Sequence, residues 1–143
     1  MKALKSTIDK ELITLANTLG IAYLDWDNLA TAADLKSEAD PILVGRLETT
    51  AHEGCANVRI GHFRVGVKVT EDAGNYELLA ILGAAENYFQ IQNQIPIRDY
   101  TGTVASEAQL GTITISSLAV EENHQDAAIN LRFLVVGFVA VIF

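Results

Sequence analysis

The sequence predicts a single α+β domain over residues 1–143, with one mainly antiparallel β-sheet packed against two α-helices in the order α-β-β-α-β-β and a long C-terminal hairpin. Three observations carry that prediction. The last thirteen residues, Leu131 to Phe143, read LRFLVVGFVAVIF, with both alternating phases apolar. A strand has that pattern only when both of its faces are covered. The run is shorter than the roughly 20 apolar residues of a membrane helix and is rich in Val, Ile and Phe, so it predicts a central strand. One face would lie on the chain's own helices and the other on a neighbouring subunit. The second observation is helical spacing of apolar residues in two separate stretches, and the third is strict alternation in two others.

The first helical stretch starts near Ala3, where Leu4, Ile8, Leu12, Leu15 and Leu19 recur at steps of three and four, with Lys5, Asp9, Lys10 and Glu11 elsewhere on the wheel. Gly20 supplies a left-handed stop. Residues 21–40 lack clean periodicity and predict a loop with one helical turn, although IAYLDW would also fit a short strand. Pro41 opens a strand from Ile42 to Leu47, since proline is tolerated at a strand start. AHEGCAN predicts a connection.

From Val58 the chain alternates, with Phe63, Val65, Val67 and Val69 in the core phase and His62, Arg64 and Lys68 in a wet, basic phase. Asp72 or Asn75 caps a second helix that buries Leu78, Leu79, Leu82, Ala85 and Phe89. Residues 92–109 predict a long connection. Ile113 and Ile115 face the core of the next strand, Glu121 to Asp126 form a polar turn, and the final strand begins at Ala128.

Half of the residues are hydrophobic, and two prolines and no low-complexity tract predict an ordered chain. A lone Cys55 forms no internal disulfide, which points to a reducing compartment. Charges at Lys2, Lys5, Asp9, Lys10 and Glu11 break any apolar secretory leader. A net charge of −8 repels polyanions and disfavours ordinary nucleic-acid binding, but it suits a surface that DNA slides past.

Catalytic and metal signatures are missing from the sequence. His52, Cys55 and His62 lack a fourth ligand and zinc-like pairing, and HEGCA fails the H-E-x-x-H pattern at Ala56. Asp25, Asp27 and Asn28 begin like a calcium loop, but Leu29 and Ala30 stand where an oxygen ligand and a glycine are needed. Trp26 between those acids reads as a core-closing ring. Ser116 and Ser117 have no glycine-framed elbow, and no phosphate-cradling loop occurs. The expectation is a protein without catalytic residues, cofactor or metal. The competing class is a small-molecule domain whose pocket lies between sheet and helices, near His62, Tyr76 or Tyr88.

Taken together, the N-terminal amphipathic helix, EADPILVG at residues 38–45, the basic-faced strand, LLAILGAAENYF at residues 78–89 and the closing hairpin resemble the tail-terminator (tail-completion) proteins of long-tailed bacteriophages. That resemblance implies a virion protein of the tail and neck, assembled in the host cytoplasm. It implies a homo-oligomeric ring, usually a hexamer, that caps the tail tube and meets the head-neck connector proteins, with DNA passing through without specific binding. Other phage neck or head-completion proteins would match nearly as well. For the contact between copies the sequence offers Arg59, Arg64 and Lys68 on one copy and the acids Asp34, Glu38, Asp40 and Glu48 on the next, a head-to-tail pairing of opposite charge.

Overall fold

The computed structural model describes residues 2–25, 41–52, 55–70, 75–102, 108–121, 124–126 and 129–143. In chain order the elements are α1 (Lys2–Leu19), β1 (Ala22–Asp25), β2 (Ile42–His52), β3 (Cys55–Thr70), α2 (Asn75–Tyr88), β4 (Gln94–Ile97), β5 (Gly111–Val120), β6 (His124–Asp126) and β7 (Ile129–Ile142). The class is α+β, with two helices against one sheet whose strands run β1-β2-β3-β7-β5-β4. β6 pairs with β7 at Ile129 to Leu131, continuing the line that β5 holds against residues 134–142.

Four features depart from the sequence expectation. Ala22–Asp25 is a strand, and it lies parallel to β2 with Ala22 opposite Ile42, so the sheet is mixed. AHEGCAN contributes strand rather than a plain connection, because β2 runs to His52 and β3 starts at Cys55. The stretch 92–109 contains the edge strand β4, where Ile95 and Ile97 turn inward and Pro96 sits at an edge that tolerates a missing N–H. Within Glu121 to Asp126, residues 124–126 pair as β6, and β7 begins at Ile129. With the three-residue β6 counted, the order is therefore α-β-β-β-α-β-β-β-β.

The predicted central strand is central. β7 lies between β3 and β5, with Phe63 opposite Val136 and Ile115 opposite Phe138. Its residues Leu134, Val136, Phe138 and Ala140 face the helices and are buried with Phe63, Val65, Val67 and Val69 of β3. Phe63 meets Phe89 edge-on at 5.0 Å between centroids and Phe138 at 6.1 Å. From α2 the core takes Leu78, Ile81, Leu82, Ala85 and Phe89, but Leu79 is 49% exposed. The buried arc is centred on Leu78, Leu82 and Ala85 and extends toward Ile81, which turns Leu79 outward.

Helix α1 buries Leu4, Ile8, Leu12, Leu15 and Ala16 and touches the strands at both margins of the sheet, β1 and β2 on one side and β4 on the other. The sheet therefore curls around it. At one margin Lys5 Nζ pairs with Asp9 at 2.9 Å and Asp25 at 3.1 Å, and the Tyr23 hydroxyl donates to Asp9 at 3.1 Å. Partial burial pulls the Lys5 pKa down, but the hydrogen bonds and charges of the two aspartates outweigh it and hold the group above its ordinary value. At the other margin the fully buried Thr7 exchanges hydrogen bonds with the Arg98 backbone, donating to its carbonyl at 2.9 Å and accepting from its N–H at 3.1 Å. A Cβ at Gly45 would come within 2.5 Å of both Leu12 Cδ1 and the Tyr23 hydroxyl, so glycine there lets helix and edge strand close on β2.

Gly20 ends α1 at φ +69°, with its N–H on Asn17 O at 3.2 Å and the Ile21 N–H on Ala16 O at 3.0 Å, the two bonds of a Schellman turn. Gly83, inside α2, has only open space around a would-be Cβ. Opposite responses to the same substitution are expected. Gly20→Ala should cost about 1 kcal/mol through its left-handed backbone, and Gly83→Ala should stabilise by about 0.5–1 kcal/mol through helix propensity. Denaturant unfolding of both variants checks the pair, and equal signs would contradict these backbone assignments.

The Tyr88 hydroxyl donates to Glu11 Oε2 at 2.6 Å and ties α2 to α1. Burial first, then this bond and the Glu11 charge, push the phenol well above its ordinary value. The folded chain keeps a proton that the unfolded chain releases near pH 10, so the contribution is full below about pH 10 and is lost as pH rises beyond it. Tyr88→Phe should lower stability near neutrality by about 1 kcal/mol and make the alkaline decline shallower. Unfolding measured from pH 7 upward tests this, and parallel curves for the two proteins would rule it out.

Candidate functional site

The sheet face turned away from the helices is set by the parity of β3 and β7, and along β3 it divides into three zones. The first is apolar. Val58 stands directly opposite Val141, and Ile60 opposite Val139, with Thr112 and Thr114 of β5 completing the rows. Ile60 is 43% and Val141 40% exposed, so this half of the doubly apolar strand reaches the surface.

The second zone is charged, because the β2–β3 register sets Glu48 opposite His62 and Arg46 opposite Arg64. Glu48 Oε2 accepts from Arg64 Nη1 at 3.0 Å and from His62 Nε2 at 2.8 Å, while Glu48 Oε1 lies 3.2 Å from Arg46 Nη2. Arg64 Nε donates to Glu121 Oε1 at 3.1 Å. The hydrogen bond from Arg64 outweighs desolvation and, with the charges of Arg64 and Arg46 and the bond from His62, holds the Glu48 carboxyl below its usual range. Burial works against the Arg64 guanidinium, but Glu121 and Glu48 raise its pKa above the ordinary value. A carboxylate held this way is a weak base. The shallow open depression beside it, about 390 Å³, is lined by Glu48, Thr49, Ile60, Gly61 and His62.

The third zone is a second buried cluster of Ile42, Val44, Leu131 and Phe133, with Leu24 packed against it. Lys68 lies in this zone, between Ile42 on β2 and Leu131 on β7, and is fully buried. Gly66 makes room for the Phe133 ring, whose Cε1 would lie 2.6 Å from an added Cβ.

These positions correct the expected basic stripe. Arg59 is opposite Ala140, a residue of the helix-facing core, so it points to the other face from His62 and Arg64. Arg64 is neutralised within its own chain by Glu48 and Glu121, and Lys68 is not on a wet face. Glu48 is the one acid of the expected partner set among the described residues, and it is the hub of this cluster. Asp34, Glu38 and Asp40 lie outside the described residues, as do Trp26, Asp27, Asn28 and Asp72.

The remaining candidates do not converge. His52 and Cys55 are ladder partners at the end of the β2–β3 hairpin, whereas His62 is committed to Glu48. Among the described residues no group of three or more His, Cys, Asp or Glu is placed to hold a metal ion. Asp25 pairs with Lys5, and Ser116 is exposed at the irregularity of β5. His62 is on the outer face, Tyr76 is 92% exposed and Tyr88 is bonded to Glu11, so these three do not line one pocket. Between sheet and helices the described residues form a packed core. An open groove of about 580 Å³ runs instead along the outside of α1, where Lys10 Nζ sits 5.2 Å from the Tyr100 ring centre. No helix among the described residues is long and apolar enough to cross a membrane.

The residues missed by the sequence reading are the partly buried Val58 and the exposed Ile60. Their signal was present, since β7 was already apolar in both phases and a strand paired to its outer phase shares the same surface.

No family model and no curated protein matches the sequence. The chain is similar to a solved structure whose name is a bare identifier that states no activity, 11% identical with a TM-score of 0.70 over 99% of this chain and 95% of that one. At that identity the likeness is one of fold.

Lys68 yields a direct test of its corrected place. Reversing its charge would bury a carboxylate among Ile42, Leu131 and Phe133, with an expected loss of at least about 3 kcal/mol. Lys68→Glu should fail to fold or melt far below the parent in thermal unfolding followed by circular dichroism. Equal stability of Lys68→Glu and the parent would return this lysine to the solvent.

Proposed function

We propose that this chain is a non-catalytic structural subunit, a tail terminator of a long-tailed phage that assembles into a hexameric ring capping the tail tube and joining it to the head. The observation that supports the assembly is the pair of apolar rows, Val58 with Val141 and Ile60 with Val139, lying at the surface of the sheet. Apolar cross-strand pairs at the middle of a sheet are stabilising when something dry covers them, and a neighbouring copy would supply that cover. The charge balance supports the second half of the reading. Subunits of net charge −8 would give a channel that does not grip phosphates, so DNA would pass without specific contacts. The partners in this reading are further copies of the chain, the tail tube and the head-neck connector, and its location is the tail and neck of the virion.

An apolar contact between strongly acidic copies predicts a particular salt response. Raising ionic strength screens the long-range repulsion and leaves the apolar contact intact, so association should tighten from low to moderate salt. A contact made by opposite charges would weaken instead. Native mass measurement of the purified chain over a range of concentration and salt should find a closed oligomer, a hexamer for the ring proposed, favoured at the higher salt. A monomer under every condition, together with a single copy in any parent particle, would end this reading.

A further inference from the structure

We infer that the outer-face stripe of one copy is covered by helix α2 of the next copy, a head-to-tail contact that rests on the assembly reading above and names its two surfaces. On α2, Leu79 and Ala80 lie three and four residues after Tyr76, and Gly83 lies four and three residues after them, so the four share one face. Tyr76 is 92% and Leu79 49% exposed, Ala80 is exposed, and Gly83 has open space where a Cβ would be. Beside the buried arc of Leu78, Leu82 and Ala85, the helix therefore carries a second, solvent-facing apolar stripe. An amphipathic helix with one buried stripe needs no second one for its own fold.

The other apolar surface is the stripe of Val58, Ile60, Val139 and Val141 on the far side of the sheet. The strands that carry it, β3 and β7, are the same two that receive α2 on their inner face. Their inner surface shows that a helix packs across this strand pair, and the outer one offers an apolar strand pair to a second helix. Two different patches on opposite sides of one molecule satisfy each other only head to tail, which gives rings when the rotation closes.

Charge favours the same pairing over two like patches. The α2 stripe is flanked by the exposed acids Glu77 and Glu86, so two α2 surfaces brought together would set acid against acid. Along β3 the sheet stripe gives way to the Glu48–His62 row and, one row beyond, to Arg46 and Arg64, a cluster in which the two arginines balance Glu48 and Glu121. An acidic helix rim meets that border without repulsion.

The test uses two full-length double variants and their mixture. Ile60→Glu with Val141→Glu disables the sheet stripe, and Tyr76→Ser with Leu79→Glu disables the helix stripe. All four positions are surface sites, so each chain should keep the parent's circular dichroism spectrum and a cooperative melt. Each variant alone should be monomeric, with self-association weakened by at least on the order of tenfold, because each lacks one half of the contact. Mixed in equal amounts they should form a one-to-one heterodimer and stop there, because one intact sheet stripe then meets one intact helix stripe. If the sheet variant alone still assembles, or the helix variant alone still assembles, the head-to-tail contact is overturned while the oligomeric reading stands. If neither assembles and their mixture stays monomeric although the parent is oligomeric, the two stripes are not each other's partners. If the parent itself is monomeric at every concentration, both the contact and the assembly reading fall.

Discussion

One helix held by both margins of one sheet is the constraint on which this structure depends. A sheet with short edge strands, β1 and β4, would present open backbone at each margin, and α1 reaches both. The two grips are chemically different. At β1 the grip is ionic and partly wet, through Lys5, Asp9, Asp25 and Tyr23, and at the end of β4 it is a dry exchange of hydrogen bonds between Thr7 and the Arg98 backbone. A buried hydroxyl that both donates and accepts is satisfied in full, whereas breaking either bond strands a polar group without water. The β4 grip, made without charged side chains, is therefore the less sensitive of the two to salt.

That curl separates the inner face, which is filled, from an outer face that is treated differently along its length. At the β7 N-terminal end the outer face is dry and includes the buried Lys68; in the middle it is an ion cluster; at the other end it is apolar and exposed. The middle cluster accounts for charges that would otherwise look like a docking surface. A single carboxylate, Glu48, serves Arg46, Arg64 and His62, and each pair is worth little by itself at partial exposure, but the geometry fixes which side chains remain available. What remains available on this face is apolar rather than charged.

The sequence made legible whatever depends on one element at a time. The doubly apolar β7, the core phase of β3, the buried positions of α1 and the glycine stop at residue 20 all follow from local periodicity, and the structure has them. What depends on a partner strand was not legible. β1 is four residues long and pairs in parallel with a strand reached only after an intervening stretch, so the local pattern of IAYLDW allowed a strand without deciding it. Lys68 looks wet within its own strand, and it is the residues opposite, Ile42 and Leu131, that place it in a dry zone. Arg59 is a different kind of miss. Counting back from Phe63 in steps of two already sets Arg59 on the helix-facing side, so simple parity would have removed it from the basic stripe.

The two surfaces assigned to the contact between copies share one physical property that follows from the fold. Each exposed residue abuts a fully buried one: Val141 follows Ala140 on β7, and Leu79 follows Leu78 on α2. Side chains carried on elements pinned from behind lose little freedom when they are covered, which removes much of the entropic cost that a flexible loop would incur on association. The same coupling limits how the patches can vary. A change large enough to reshape the stripe on β7 also shifts Leu134, Val136 and Phe138 beneath it, so in this chain the core and the contact surface are two sides of the same strand pair.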